Sequence, residues 1–487
     1  MSGDEKKIPM PAPEEIDRAV EHIVEEGLGK GTAAGKKRLR MRLLMLGGAA
    51  VIALVLAVGI PLLRKIAAKV NYPGVETVQA VRPAATAKNM SADEFNQSEA
   101  AFRWMNAQKA AAAVSLPLQE GMRQFYEGLM AQMLSDTKDN AVCSPISIYL
   151  ALSMLAEVTA GGTQKQILDV LNVPDTETLR KNAAALWESN YSDSPAQQSR
   201  LANSFWLNDH FNCSRSQLRR LADTYRADSF VGVPGSDAMD KALRKWTDDN
   251  TGGLLAEYTK GLKLDRDTVL ALVSAIYFNS SWELPFFAKK NTREVFHGTQ
   301  GDTEVIMMHK ENPMDVYEGK HFISVALPLK TSGFVYVCLP EEGTDAGALA
   351  ADPELLDIVH MNDHWASGYN TTVCLSLPKF SVSGKTDLIG TLRALGITDA
   401  MDERKADFTP LAAKKEEAAG LHLGRAEHAA KLSVDEEGVI GAAYTMFEIP
   451  VAGWPERIEL TVDRPFFFLV TGQDNSILFA GVVNHIE

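Results

Sequence analysis

Leu43 to Leu63 reads LLMLGGAAVIALVLAVGIPLL, twenty-one residues without a charge. As an α-helix rising 1.5 Å per residue, such a run is about 31 Å long and matches the roughly 30 Å hydrocarbon core of a bilayer. A helix of a soluble domain is seldom apolar on every side for this length. A cleaved leader fits poorly, because forty-two residues precede the run and it is long for the apolar stretch of a signal peptide. The expectation is a retained transmembrane helix over 43–63. Lys36, Lys37, Arg38, Arg40 and Arg42 precede it, against Arg64, Lys65 and Lys69 after it. The positive-inside rule then makes residues 1–42 a cytoplasmic tail and puts the C-terminal part in an extracellular or periplasmic space. Within the tail, Ile16, Val20, Ile23 and Val24 of Pro13–Leu28 fall at helical spacing, which suggests a short solvated amphipathic helix.

Residues 64–118 are Ala-rich and interrupted by Pro73, Pro83 and Pro117. They read as a linker, with Ser91–Ala113 as a potential helix. A flexible coil of about fifty residues reaches on the order of 40 Å root-mean-square. From 119 to 487 the texture changes to a single large domain. Gly121–Leu134 and Ser144–Ala156 read as helices. Leu201–Leu207, Val269–Tyr277, Phe334–Leu339, Val373–Leu377, Pro465–Val470 and Ser476–Val483 read as strands rich in β-branched or aromatic residues. The absence of regular βαβ alternation points to an α+β fold with large antiparallel or mixed sheets. A net charge of −14 argues against nucleic-acid binding. Cys143, Cys213, Cys338 and Cys374 show no metal-ligand spacing, so they are expected as buried apolar groups, with one Cys–Cys bridge left open.

Four segments occur in order over the large domain: NAVCSPISIYLALSMLAEVTAGGTQKQIL (Asn140–Leu168), VLALVSAIYFNSSWELPF (Val269–Phe286), LSVDEEGVIGAA (Leu432–Ala443) and VDRPFFFLVTGQDNSILFAGVVN (Val462–Asn484). They resemble the core helix, the central strand of the main sheet, the loop hinge and the C-terminal strands of the serpins. The resemblance implies a serpin-like fold with about nine helices, in addition to the membrane span. It further implies a metastable, mechanism-based inhibitor. A serine protease cleaves an exposed loop, and the loop inserts as a new strand while the protease stays covalently bound. The domain is then not an enzyme, needs no cofactor or metal, and is expected as a monomer.

Insertion makes a demand that the residues themselves can meet. Alternate side chains of an inserting strand face the interior. From Gly438, one phase is Val439, Gly441, Ala443, Thr445, Phe447, Ile449 and Val451, none of them charged. Glu448, the only charge between Gly438 and Pro455, falls on the other phase. The resemblance implies a hinge of Glu436, Glu437, Gly438, Val439, Gly441 and Ala443. It places the scissile bond at Ala452–Gly453, or one residue earlier at Val451–Ala452. A small residue there suits an elastase-like protease. With no Arg or Lys between Gly438 and Pro455, a trypsin-like target is not expected. The sheet-opening residues implied are Ser144, Ser147, Ser274, His428 and Trp282, as a polar cluster that holds the sheet closed.

Two departures stand out. Ser274 occupies a position that is usually asparagine, and Ile440 and Tyr444 make the second phase of the loop unusually apolar. The competing reading is a non-inhibitory binding protein or chaperone that uses this apolar loop as a contact surface. Other signals carry less. Ser383–Thr386 (SGKT) resembles the end of a phosphate loop but has Lys379 where that motif needs Gly. His360 and His364 lack the Glu of a zinc protease, and no GxSxG elbow is present. Asn279 and Asn370 open Asn-x-Ser/Thr triplets that matter only in a glycosylating host.

Overall fold

The computed structural model describes residues 72–83, 85–87, 89–253, 259–330, 333–360, 371–439 and 456–486. The expected tail and membrane helix at 1–42 and 43–63 lie outside these residues. Among the described residues no helix is long and apolar enough to cross a membrane.

Three sheets form the body. The largest has eight strands in the order β1 (Glu76–Val78), β5 (Asp228–Gly232), β4 (Gln197–Asn208), β6 (Leu270–Ser281), β15 (Gly438–Val439), β14 (Leu423–Val434) and β13 (Phe380–Asp387), with β3 (Ser192–Asp193) paired to β4. A six-stranded sheet runs β2 (Ala141–Cys143), β18 (Ile477–Val483), β17 (Phe466–Thr471), β11 (Gly333–Pro340), β10 (Phe322–Leu329) and β9 (Val316–Glu318). A four-stranded sheet runs β16 (Glu456–Thr461), β12 (Thr371–Pro378), β8 (Gly301–Pro313) and β7 (Thr292–Gly298). Parallel and antiparallel pairings mix within the first and third sheets.

Ten α-helices occur among the described residues, against the nine or so expected. Two of them, α1 (Ala92–Asn96) and α2 (Glu99–Ser115), lie in the stretch read as a linker. The rest are α3 (Gln119–Leu134), α4 (Pro145–Glu157), α5 (Gly161–Val170), α6 (Thr176–Asn190), α7 (Arg215–Thr224), α8 (Asp237–Thr251), α9 (Asp357–His360) and α10 (Ile389–Ala394). Every residue of α4 is buried. This explains a helix that is apolar all round without being a membrane span, and Pro145 suits its first turn, where no intrahelical N–H is needed. On the opposite face of the large sheet, Leu243 and Trp246 of α8 pack with Trp206, Ala271, Val273 and Ala275. The strands predicted from composition all fall within β4, β6, β11, β12, β17 and β18 or next to their ends. Ser383–Thr386 lies inside β13, so it is strand and not a phosphate-cradling loop. All four cysteines are free thiols.

The flexible linker is the main correction. From Tyr72 onward this stretch belongs to the folded body. β1 adds an antiparallel strand to the edge of β5, with Thr77 opposite Phe230. Tyr72 packs edge-on to Phe230, with ring centroids 4.9 Å apart. Buried Asp228 accepts hydrogen bonds from Ala80 N (2.8 Å), the Arg82 guanidinium (2.9 Å) and Trp246 Nε1 (2.7 Å). α2 is capped by Ser98, whose side chain accepts from Ala101 N, and its alanines favour helix. Its C-terminal Ser115 hydroxyl donates to buried Asp474, 2.5 Å away. The segment is thus fastened at both ends to the sheets. Asp228→Ala strands two buried donors and leaves Arg82 without its carboxylate partner, so it is expected to lower the unfolding free energy by about 3 kcal/mol in chemical denaturation. A change within about 0.5 kcal/mol, the range of ordinary surface substitutions, would show that residues 72–82 are not docked this way.

Candidate functional site: the seam of the large sheet

β6 and β14 run parallel and pair from Leu270↔Leu423 to Ala275↔Ala429. Beyond that point they diverge, and β15 occupies the mouth between them. It is antiparallel to both neighbours, with Val439 opposite Ser280 on one side and Val434 on the other. Val439 is fully buried in the main core. Gly438 has to be glycine here, because a Cβ would meet the Ser280 carbonyl oxygen at 2.3 Å and Ser281 Cα at 2.7 Å. The first two residues of the expected hinge strand are therefore already seated in the sheet. Gly441, Ala443, Val451, Ala452 and Gly453 lie outside the described residues.

The turn that delivers β15 is held by polar contacts. Asp435 Oδ1 accepts from Glu437 N (2.9 Å) and Gly438 N (3.2 Å). Glu436 pairs with Lys379 at 2.6 Å and accepts from Asn291 Nδ2 at 2.5 Å. Partial burial pushes the Glu436 carboxyl up, but the Lys379 and Asn291 contacts outweigh it and hold the group below its ordinary value. Trp282, 1% exposed, donates from its backbone N to Glu437 O and from Nε1 to Asp435 O, both at 2.9 Å. Its ring stands edge-on to Phe286. Phe286 N in turn donates to Glu436 O. The backbone around Trp282 thus carries the turn.

Further along the seam, Asn203, Ser274 and His428 lie side by side on β4, β6 and β14. Their side chains share the face covered by α4. His428 Nε2 accepts from Ser144 N at 2.9 Å, and the Ser144 and Ser147 hydroxyls are 2.9 Å apart. With Nε2 accepting, the neutral ring carries its proton on Nδ1. That Nδ1, Ser274 Oγ and Asn203 Oδ1 are buried without hydrogen-bond partners. Ser274 is too short to serve its neighbours.

The structure brings Ser144, Ser147, Ser274 and His428 together. Trp282 stands apart from them, eight residues beyond Ser274 and just past the end of β6 beside the turn, so the expected single cluster is two clusters. Asn203, Asn291, Lys379 and Asp435 were missed by sequence reasoning. Only Asp435, next to the hinge glutamates, offered a local signal.

A family model described as "Serpin (serine protease inhibitor)" matches residues 120–486. The chain belongs to the serpin family. It is 29% identical over 360 residues to a serine protease inhibitor of Cyanea capillata, covering 71% of this chain and 92% of that one. It is 28% identical to alpha-1-antiproteinase 2 of Equus caballus, covering 71% and 81%. The crystal structure of the thermophilic serpin tengpin in the native state aligns with a TM-score of 0.67 at 26% identity, over 75% of this chain and 93% of tengpin. Serpins are mostly protease inhibitors rather than enzymes. Residues 72–118 precede the family match.

Burial lowers the His428 imidazole from 6.5 to about 4. The unfolded chain takes up a proton below its ordinary pKa while the folded chain does not. Stability is therefore complete above pH 6.5 and is lost as pH falls toward 4, by about 3 kcal/mol in all. Denaturation midpoints are expected to fall over that window, and His428→Gln is expected to flatten the fall. An equally steep fall in the variant would assign it to other groups.

Proposed function

We propose that this serpin is a membrane-anchored suicide-substrate inhibitor of an elastase-like serine protease. The observation that carries the reading is β15, already inserted between β6 and β14 in the register a longer strand would need. Continuing the pairs Val439↔Ser280 and Val439↔Val434 downward assigns the neighbours of each later residue. Gly441 comes opposite Phe278 and Ala443 opposite Ile276, two buried side chains of the main core. Thr445 comes between Ser274 and His428, where its hydroxyl meets two atoms that now lack partners.

The second phase gains a rationale from the same register. Tyr444 comes between Ala275 and Ala429, beneath α8, where an apolar side chain is suited, and Met446 comes between Val273 and the aliphatic stem of buried Glu427. Glu448 comes between Ala271 and Arg425, so the one charge of the loop comes beside a guanidinium that already pairs with Glu427 and Asp265. Of the two residues that looked anomalous, Tyr444 thus has an apolar destination, whereas Ile440 comes between Asn279 and Ser433. Ile440 and Tyr444 also support the competing reading, in which the loop's apolar face binds a partner without trapping a protease.

The small residue at Ala452 supports an elastase-like target, with cleavage at Ala452–Gly453 or Val451–Ala452. The uncharged run Leu43–Leu63 and its basic flanks support the anchor, with the serpin body outside the cytoplasm. Incubation with an elastase-like protease is expected to give a complex that survives boiling in detergent. Val439→Arg forces a charge into the main core at a cost of several kcal/mol, so it is expected to abolish the complex and leave clean cleavage. A complex of undiminished yield in the variant contradicts insertion. Cleavage without a complex in the wild type favours the non-inhibitory reading.

A further inference from the structure

Nine large apolar side chains are strongly exposed among the described residues, and six of them fall within residues 81–116: Val81, Met90, Phe102, Met105, Val114 and Leu116. That stretch precedes the family match at 120–486. The exposure concentrates on α2. One side of this helix buries Ala101, Trp104, Ala112 and Ser115. A second side, about a third of a turn around, carries Phe102, Met105, Ala113 and Leu116 at helical spacing, with Lys109 among them. Phe102 is 62% exposed and Leu116 46%. A surface helix needs one apolar side, and this one has two. The uncovered one calls for a partner.

The surrounding sequence indicates which partner. The uncharged run ends at Leu63, nine residues before Tyr72, and nine peptide steps span at most about 30 Å. Arg64, Lys65 and Lys69 lie in between. No Asp or Glu occurs from Arg103 to Pro117, in a chain whose net charge is −14, and Glu99 at the head of the helix is paired with Arg103. Apolar side chains with an interspersed lysine and no acid suit an interfacial helix on a lipid surface.

We propose that the Phe102–Met105–Leu116 side of α2 lies on the bilayer surface, seated among lipid headgroups and upper acyl chains, so that the serpin body rests on the membrane instead of standing off it. This rests on the reading of Leu43–Leu63 as a membrane span. Burial of apolar area supplies the attraction, and covalent attachment to the span makes it effectively intramolecular.

The test uses the full chain reconstituted into nanodiscs of phosphatidylcholine and phosphatidylglycerol. Cys213 and Cys374 are changed to Ser, and a nitroxide is placed at Met105→Cys or, as control, at Val233→Cys, which is 51% exposed and lies outside the patch. The expected result is a ratio of oxygen to nickel-chelate accessibility severalfold higher at position 105 than at 233. Equal ratios overturn the docking. A label at 105 shielded from both reagents also overturns it, because protein then covers the face. That protein is a second copy if spectral broadening grows with the labelled fraction, and the chain's own N-terminal segment if it does not. Flotation after carbonate washing separates the two readings. A chain that floats with a water-exposed label at 105 loses only the docking, whereas a chain that is washed off the lipid loses both docking and span.

Discussion

The pairing of β6 with β14 lasts for six residue pairs before the strands part around β15. Below the mouth, the two strands present backbone groups to each other. At the mouth they present them to β15, described for Gly438 and Val439. A strand pair that opens at one end is a template for another strand, and most sheets avoid such an edge by covering it. Under the proposed function this edge is where the loop enters. α8 roofs the seam on one face and α4 fills the other, so both faces of the seam are already covered. The turn at Asp435–Glu437, held by Trp282, Lys379 and Asn291, aims the chain into the gap.

The polar layer beneath the seam sets the balance. His428 uses one ring nitrogen on Ser144 N, and its other nitrogen, Ser274 Oγ and Asn203 Oδ1 stay unpaired. Each buried orphan costs of order 1–3 kcal/mol relative to a satisfied group. The closed sheet therefore carries a local penalty, and under the proposed insertion the Thr445 hydroxyl would relieve it.

Much of this was legible in the sequence, because the defining segments are local. The all-apolar α4, the strand runs of β6 and β17–β18, and the alternation after Gly438 each announce themselves within twenty or thirty residues. What escaped was non-local or disguised. Asn291 and Glu436 meet across 145 positions, Ser144 and His428 across 284, and only the fold puts them in register. The stretch after Tyr72 passed for a linker because β1 is three residues long and the buried side of α2 is largely alanine. Alanine marks neither a core nor a surface, so periodicity had little to work on. Of the prolines that suggested flexibility, Pro73 and Pro83 sit outside the helices and strands, and Pro117 sits in the single 3-10 turn Leu116–Leu118 that joins α2 to α3.

The central claim is that the seam is a vacancy for the loop. It is tested most directly by nicking the loop within residues 440–455 and comparing the thermal unfolding midpoint of the nicked chain with that of the intact one. An inserted strand adds ladder hydrogen bonds on both sides, buries the phase from Gly441 to Val451, and satisfies Ser274 and His428. The account predicts a midpoint well above that of the intact protein. A nicked chain that melts at the same temperature or lower would contradict it.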